Sequence, residues 1–212
     1  MLFHALPKYW SRPIPTSTIL GNFYMIKRRD AFLGIVASLA LGKDAAASSK
    51  KNGVFALDPV YLPQVVGIST EYPAGTLLVD PANRFLYLIE SLSKARRYGI
   101  GVGKAGLAFT GTAVVGRKAK WPSWRPTQNM IKRAPEKYAK YADGLPGGPL
   151  NPLGSRALYL YRDDQDTLYR IHGTTEPWTI GKAVSNGCVR MVNEHVEDLY
   201  ERVPIGALVV VV

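Results

Sequence analysis

From Thr76 onward, apolar residues recur at every second position in short runs, interrupted by glycine, proline, asparagine and aspartate. A period of two sends alternate side chains to opposite faces, which dictates sheet rather than helix. TLLVD (76–80), the turn Pro81-Ala82-Asn83 and RFLYLIE (84–90) read as strand, turn, strand. Phe85, Tyr87 and Ile89 then share one face, and Leu86 and Leu88 the other. KARRYGIGVG and GTAVVGRKA continue the pattern, with β-branched and aromatic residues between glycines. RALYLY and DTLYRIHG add two strands, joined by Asp163-Asp164-Gln165. The period lengthens once, in EHVEDLYERV, where Val196, Leu199, Tyr200 and Val203 form a helical stripe. Asn193 stands at the cap position, and Pro204 and Gly206 end the helix. ALVVVV closes the chain as a strand buried on both faces. The predicted class is mainly β with one late helix. There is no internal repeat.

The segment 121–154 breaks the pattern. WPSWRPTQNM is rich in proline and tryptophan, IKRAPEKYAKYADG suits short helical turns, and LPGGPLNPLG is turn-rich. An excursion of about thirty residues is long for a small β domain and usually carries function. With Trp121, Trp124 and Tyr138 it is a candidate lid. Residues 48–70, rich in Ser, Gly and Pro, are expected as a linker or loosely docked arm before a domain at 71–212. Upstream, Lys27-Arg28-Arg29 precede an apolar run from Ala31 to Gly42, and Ala45-Ala46-Ala47 offers a small-x-small cleavage site. This is the three-part plan of an export signal, twin-arginine or general secretory, occupying 1–47. Met25 gives such a signal its ordinary length. The run is too short for the ~30 Å hydrocarbon core of a bilayer.

Charge and composition narrow the function. Of the 212 residues, 27 are Lys or Arg and 16 Asp or Glu, a net +11. Residues 1–47 hold six of those cations and two of the anions, leaving +7 for 48–212. These charges are scattered, with no basic helix and no aromatic RNA-binding signature, so no nucleic-acid partner is expected. Anionic cell wall or a membrane surface is the partner that an exported basic protein would meet. One cysteine excludes an intramolecular disulfide and a thiolate-rich metal site. Three histidines (His4, His172, His195) leave little for a histidine metal centre, and no metal or organic cofactor is expected. Gly101, Gly103 and Gly106 spell the dinucleotide pattern G-x-G-x-x-G. A β-like segment follows rather than a helix, so they read as hairpin glycines.

The chemistry concentrates in IHGTTEPWTIGKAVSNGCVRM (171–191). A lone cysteine is either a small buried hydrophobe or a nucleophile kept unpaired, and composition does not choose between them. Cys188 follows Ser-Asn-Gly, a turn signal that places it at a loop-to-strand corner. Amides of Gly187 and Cys188 can converge there on an oxyanion. Arg190, two residues on, projects to the same side of an extended chain and favours thiolate or holds a carboxylate. A thiol of ordinary pKa near ~8.5 needs a base. His172, at a strand end before Gly173, is the candidate, or else a buried histidine satisfied by a carbonyl. His195, among Glu194, Glu197 and Asp198, reads as a solvated helix residue. Trp178 either lines the cleft or simply packs.

His-Gly leading through a loop to Ser-x-Gly-Cys-x-Arg resembles the signature of the L,D-transpeptidases, the YkuD-type catalytic domain. The resemblance covers about residues 71–212, including GTLLVDPANRFLYLIE, RYGIGVGKAG and PGGPLNPLG. It implies a β-sandwich-like fold with the cysteine in a cleft under a mobile lid, Cys188 as nucleophile and His172 as its base. It further implies Gly187 and Cys188 amides for the oxyanion, Arg190 ordering site or substrate, and Ser185, Asn186 and Gly173 shaping the pocket. Many members carry histidine where this chain has Asn186, which leaves His172 as the base in the motif. The implied activity is periplasmic. A thioester forms with the diaminopimelate of a peptidoglycan stem tetrapeptide, D-alanine is released, and the acyl group passes to an acceptor. The acceptor stays open among a second stem peptide, an outer-membrane lipoprotein lysine and water, the last giving a carboxypeptidase or amidase. Sensitivity to carbapenems is also implied. A wall-binding module with an inert Cys188 is the reading from another class.

Overall fold

The strand β11 (Leu208–Val211) is buried on both faces and lies between β2 (Leu77–Asp80), parallel to it, and β6 (Gly111–Lys120), antiparallel. The structure, a computed structural model, describes residues 55–212, so the export-signal expectation at 1–47 lies outside the described residues. Around β11 the remaining strands complete a nine-stranded sheet. They are β1 (Gln64–Gly67), β3 (Phe85–Ser91), β4 (Lys94–Gly99), β7 (Arg156–Arg162), β8 (Gln165–His172) and β10 (Val189–Arg190), in the order β1-β4-β3-β2-β11-β6-β7-β8-β10. A two-stranded parallel ladder joins β5 (Val102–Gly103) to β9 (Ala183–Ser185). The helices are α1 (Gln128–Arg133), α2 (Pro135–Tyr138) and α3 (Asn193–Arg202).

Period-two alternation builds the interior. Leu77, Val79, Leu86, Leu88, Val209 and Val211 face one core shared with β6, β7 and α3, while Leu78, Ile89 and Val210 face a smaller cluster behind. Strands from both ends of the sheet enclose the same core, as a sandwich does. α3 packs on β7 and β8 and buries Val196 and Leu199 completely. Each such side chain contributes about 2 kcal/mol on leaving water. Asp163 and Asp164 make the β7–β8 hairpin, both at positive φ (49° and 60°), as a two-residue turn of this hand requires.

Three expectations change. Residues 59–67 are no loose linker: a short 3-10 turn at Pro59–Tyr61 leads into β1, which pairs with β4 at the sheet edge. Asn193 does not cap α3, whose cap residue is Val192 and whose first turn receives no side-chain cap bond. His195 is buried with its Nδ1 unpartnered, not solvated.

The 121–154 excursion is an ordered arch. Trp124 and Leu145 exchange backbone bonds across its base, Thr127 caps α1 at the Met130 N–H, and buried Asn151 donates to Leu145 O and Pro146 O.

Candidate active site

The turn from β9 to β10 carries the thiol. Ser185, buried at its start, donates from Oγ to Cys188 O (2.7 Å) and accepts the Gly187 N–H at 3.1 Å. Its hydroxyl therefore brackets the turn. The Gly187 amide is taken up in that bracket and is not aimed at an oxyanion in this conformation, a correction to the sequence expectation. Gly187 adopts φ 131°, and a Cβ there would lie 2.6 Å from both the Leu107 carbonyl oxygen and the Tyr169 ring. Gly103 on β5 backs the turn just as closely: its Cβ would sit 2.7 Å from the Gly187 Cα. The G-x-G-x-x-G glycines thus serve neither a nucleotide nor a simple hairpin. Gly101 exchanges both backbone bonds with Arg190, Gly103 packs behind the Ser185–Cys188 turn, and the next element is the strand β6.

Cys188 is partly exposed. It lies in the walls of two hollows. One is a small apolar void with Phe109, Leu160 and Val189; the other is a cleft of about 300 Å³. Burial pushes the thiol pKa up, opposed by the Arg170 N–H beside the sulfur and by the Arg170 and Arg190 charges. In this conformation Sγ donates to Leu168 O at 3.8 Å.

His172 closes β8 and lies beside β10, with Arg190 its register partner. It is buried and lines the same cleft as Cys188. Its Nδ1 is 2.5 Å from Gly173 O. A carbonyl only accepts, so Nδ1 carries the proton and Nε2 is left with a lone pair. The histidine is thus buried with Nδ1 satisfied by a carbonyl, and its other ring nitrogen is unprotonated. Burial and the Arg190 charge bring its pKa down to about 4, against the opposing pull of the Gly173 and Leu153 carbonyls. Near pH 7 imidazole and thiol are therefore both neutral. The site holds a base and an acid, not a preformed ion pair.

Arg190 Nη1 pairs with Glu176 Oε2 at 2.7 Å and lies 3.5 Å from Thr179 Oγ1, while its Nε is buried without a partner. Glu176 is half-exposed, so the pair contributes at most about 1 kcal/mol and orients more than it stabilises. Across the cleft stand Trp124, Met130, Tyr138 and Tyr141 of the arch. Asn186 Nδ2 donates to Tyr138 Oη at 2.8 Å, tying the arch to the turn that carries Cys188. Trp121 and Trp178 are half-exposed and are not among the cleft's lining residues. Among the described residues no three of His, Cys, Asp and Glu cluster as a metal ion would need.

Sequence reasoning missed Arg170 and Glu176. Arg170 was findable, because two residues before His172 on a strand means the same face. Glu176 carries no local signal, since its role depends on how the loop after β8 folds back onto Arg190.

The chain is similar to several known proteins. "Probable L,D-transpeptidase ErfK/SrfK" of Escherichia coli K12 is 32% identical over 157 residues, 71% of this chain and 48% of its own. "Probable L,D-transpeptidase YbiS" of the same strain is 33% identical over 150 residues, 70% of this chain and 47% of its own. The chain thus spans about half the length of these curated relatives. A solved Brucella melitensis protein, named a probable carnitine operon oxidoreductase, is 54% identical with a TM-score of 0.51, covering 71% of this chain and 92% of its own. The L,D-transpeptidase catalytic-domain model, YkuD, matches residues 74–211, a span that holds the Cys188 turn, His172 and the arch, and the chain belongs to that family.

Proposed function

We propose that this chain is an exported peptidoglycan L,D-transpeptidase that works through a Cys188 thioester in the periplasm. The observation that carries the reading is the neutral His172, pinned through Nδ1 to the Gly173 carbonyl, in the cleft that also exposes the chain's one cysteine. Cys188 loses its proton to His172 Nε2 and attacks the carbonyl joining the L-centre of diaminopimelate to the terminal D-alanine. The C–N bond breaks, D-alanine leaves with the proton from His172, and a thioester remains. An amine then attacks the thioester, gives its proton to His172, and an amide forms as the thiol is restored. With the Gly187 amide engaged, the Cys188 amide is the motif donor left for the oxyanion. The arch, held to Asn186 by Tyr138, limits water so that the acyl group waits for an amine. The sequence at 26–47 supports export. Stem peptides are the donor substrate, and the acceptor is a second stem or a lipoprotein lysine.

The name of the Brucella neighbour carries an oxidoreductase reading. In this chain the glycine pattern that would favour a nucleotide backs the nucleophile turn and opens no helix, so the site supports acyl transfer.

Incubating the purified protein with muropeptides and weighing the products tests the proposal. Dimers joined between two diaminopimelate residues, lost in Cys188→Ala, are expected. Trimmed monomers alone would make the enzyme a hydrolase, and no change with an unreactive thiol would leave a wall-binding module.

Arg190 keeps donors beyond the one given to Glu176, which suits a substrate carboxylate. Arg190→Lys is expected to raise KM about tenfold with kcat within a factor of about three, measured in steady state. A fall in kcat at constant KM would make Arg190 a brace for the loop.

A further inference from the structure

We propose that Asn193 is a positioning residue for the reaction, fixing the tautomer and aim of His172 through the Gly173–Thr174 peptide. The inference rests on the proposed role of His172 as base. Asn193 Oδ1 accepts two backbone N–H groups, from Thr174 and from Ser155, each at 3.2 Å. Two N–H donors require the carbonyl end of the carboxamide, so its orientation is set by its partners.

The Thr174 N–H and the Gly173 C=O belong to one planar trans peptide and point in opposite directions. Asn193 holds the N–H end. The C=O end receives His172 Nδ1. Turning that plane would swing the carbonyl off the ring and free Nδ1 to lose its proton to Nε2, the tautomer that cannot accept from a thiol. Asn193 thus stands to this histidine as a triad carboxylate stands to its own, with a peptide unit interposed.

The surrounding chain is shaped to the carboxamide. A Cβ on either Gly154 or Gly173 would collide with Asn193 Oδ1, so both neighbours have given up a side chain to admit it. The Gly173 N–H, donating to Arg156 O at 3.0 Å, holds the preceding peptide. Meanwhile the first turn of α3 goes without a stabilising side-chain cap. Asn193 is of the residue type that caps helices, yet its side chain points to the loop after β8.

The test uses the full chain with ¹⁵N-labelled histidine, reading the His172 tautomer at pH 7 by long-range ¹H–¹⁵N correlation, beside steady-state kinetics with stem tetrapeptide. Wild type is expected as the pure Nδ1–H form. Asn193→Ala is expected to give mixed tautomers and a kcat lower by roughly 100-fold, the cost of a misplaced reacting group, with KM within twofold. Asn193→Asp keeps oxygen acceptors for both amides and is expected to restore the Nδ1–H form and most of kcat. A folded Asn193→Ala with a pure Nδ1–H tautomer and wild-type kcat, only its Tm lowered, would overturn the proposal. So would a folded Asn193→Asp with mixed tautomers, which keeps the test decisive if the alanine variant does not fold. The tautomer is read without substrate. If wild type turns over no stem peptide while the tautomer still responds to Asn193, the functional reading fails and the positioning of His172 stands.

Discussion

His172→Ala is expected to slow acylation of Cys188 by roughly 10³-fold, within the range that a positioned base contributes, while Cys188→Ala forms no acyl-enzyme at all. The size follows from the resting charge states. Burial holds the thiol protonated and the imidazole neutral, so nothing in the ground state has yet separated charge, and the whole proton transfer falls within the attack. Removing the acceptor leaves only the small fraction of thiol that ionises by itself. Time-resolved mass spectrometry of the acyl-enzyme checks this, and its pH dependence sharpens it. A base with a depressed pKa is competent above that value and lost as pH falls through it, so the wild-type rate should hold down through pH 5 and decline near pH 4. In His172→Ala the rate should instead climb about tenfold per pH unit until the thiol's raised pKa is passed. Alkylation by iodoacetamide should follow the same two profiles, with one adduct at Cys188. A wild-type rate that already falls between pH 7 and 6 would mean that His172 titrates near its ordinary value of about 6.5, and the shielded neutral base would be wrong. The same depression bears on folding: the unfolded chain takes up a proton on this histidine at higher pH than the folded one. Stability is therefore lost as pH drops from about 6.5 toward 4.

Legibility in the sequence followed the range of the interactions involved. Period-two runs sorted Leu86 and Leu88 from Tyr87 and Ile89, because strand faces are set locally by the pleat. The insertion of β11 between β2 and β6 left no local trace, since nothing in ALVVVV names its partners. Cys188 and His172 stood out by residue type and by flanking turn chemistry, and the fold brings both into the wall of one cleft. The errors arose where one side chain had two possible clients. Asn193 looked like a helix cap because asparagine before an amphipathic stripe usually is one; only the fold brings Ser155 and Thr174 within its reach. The Gly187 amide looked free for an oxyanion, yet the Ser185 hydroxyl two residues earlier reaches it first. His195 carried acidic neighbours in sequence, but the helix turns it inward.

Gly187→Ala is expected to cost roughly 2–4 kcal/mol of stability and to lower the acylation rate at least 100-fold, more than any other single added methyl group in the turn. Two penalties coincide at this position. At φ 131° an L side chain is strained whatever space surrounds it, and here the new carbon also meets the Leu107 carbonyl, which is backbone and yields only if the loop before β6 moves. Relief requires the turn to shift outward. That shift breaks the Ser185 bracket and carries Cys188 away from His172, so stability and rate fall together. Gly106→Ala separates the two penalties. Gly106 also has positive φ, 76°, but a Cβ there meets nothing within 4 Å. That variant should lose only about 1 kcal/mol, the cost of the conformation, and keep its acylation rate. Urea denaturation and acyl-enzyme formation on the two proteins make the comparison. If Gly187→Ala behaved like Gly106→Ala, the contacts with Leu107 and Tyr169 would be soft, and the place of the sulfur would be set by β10 alone.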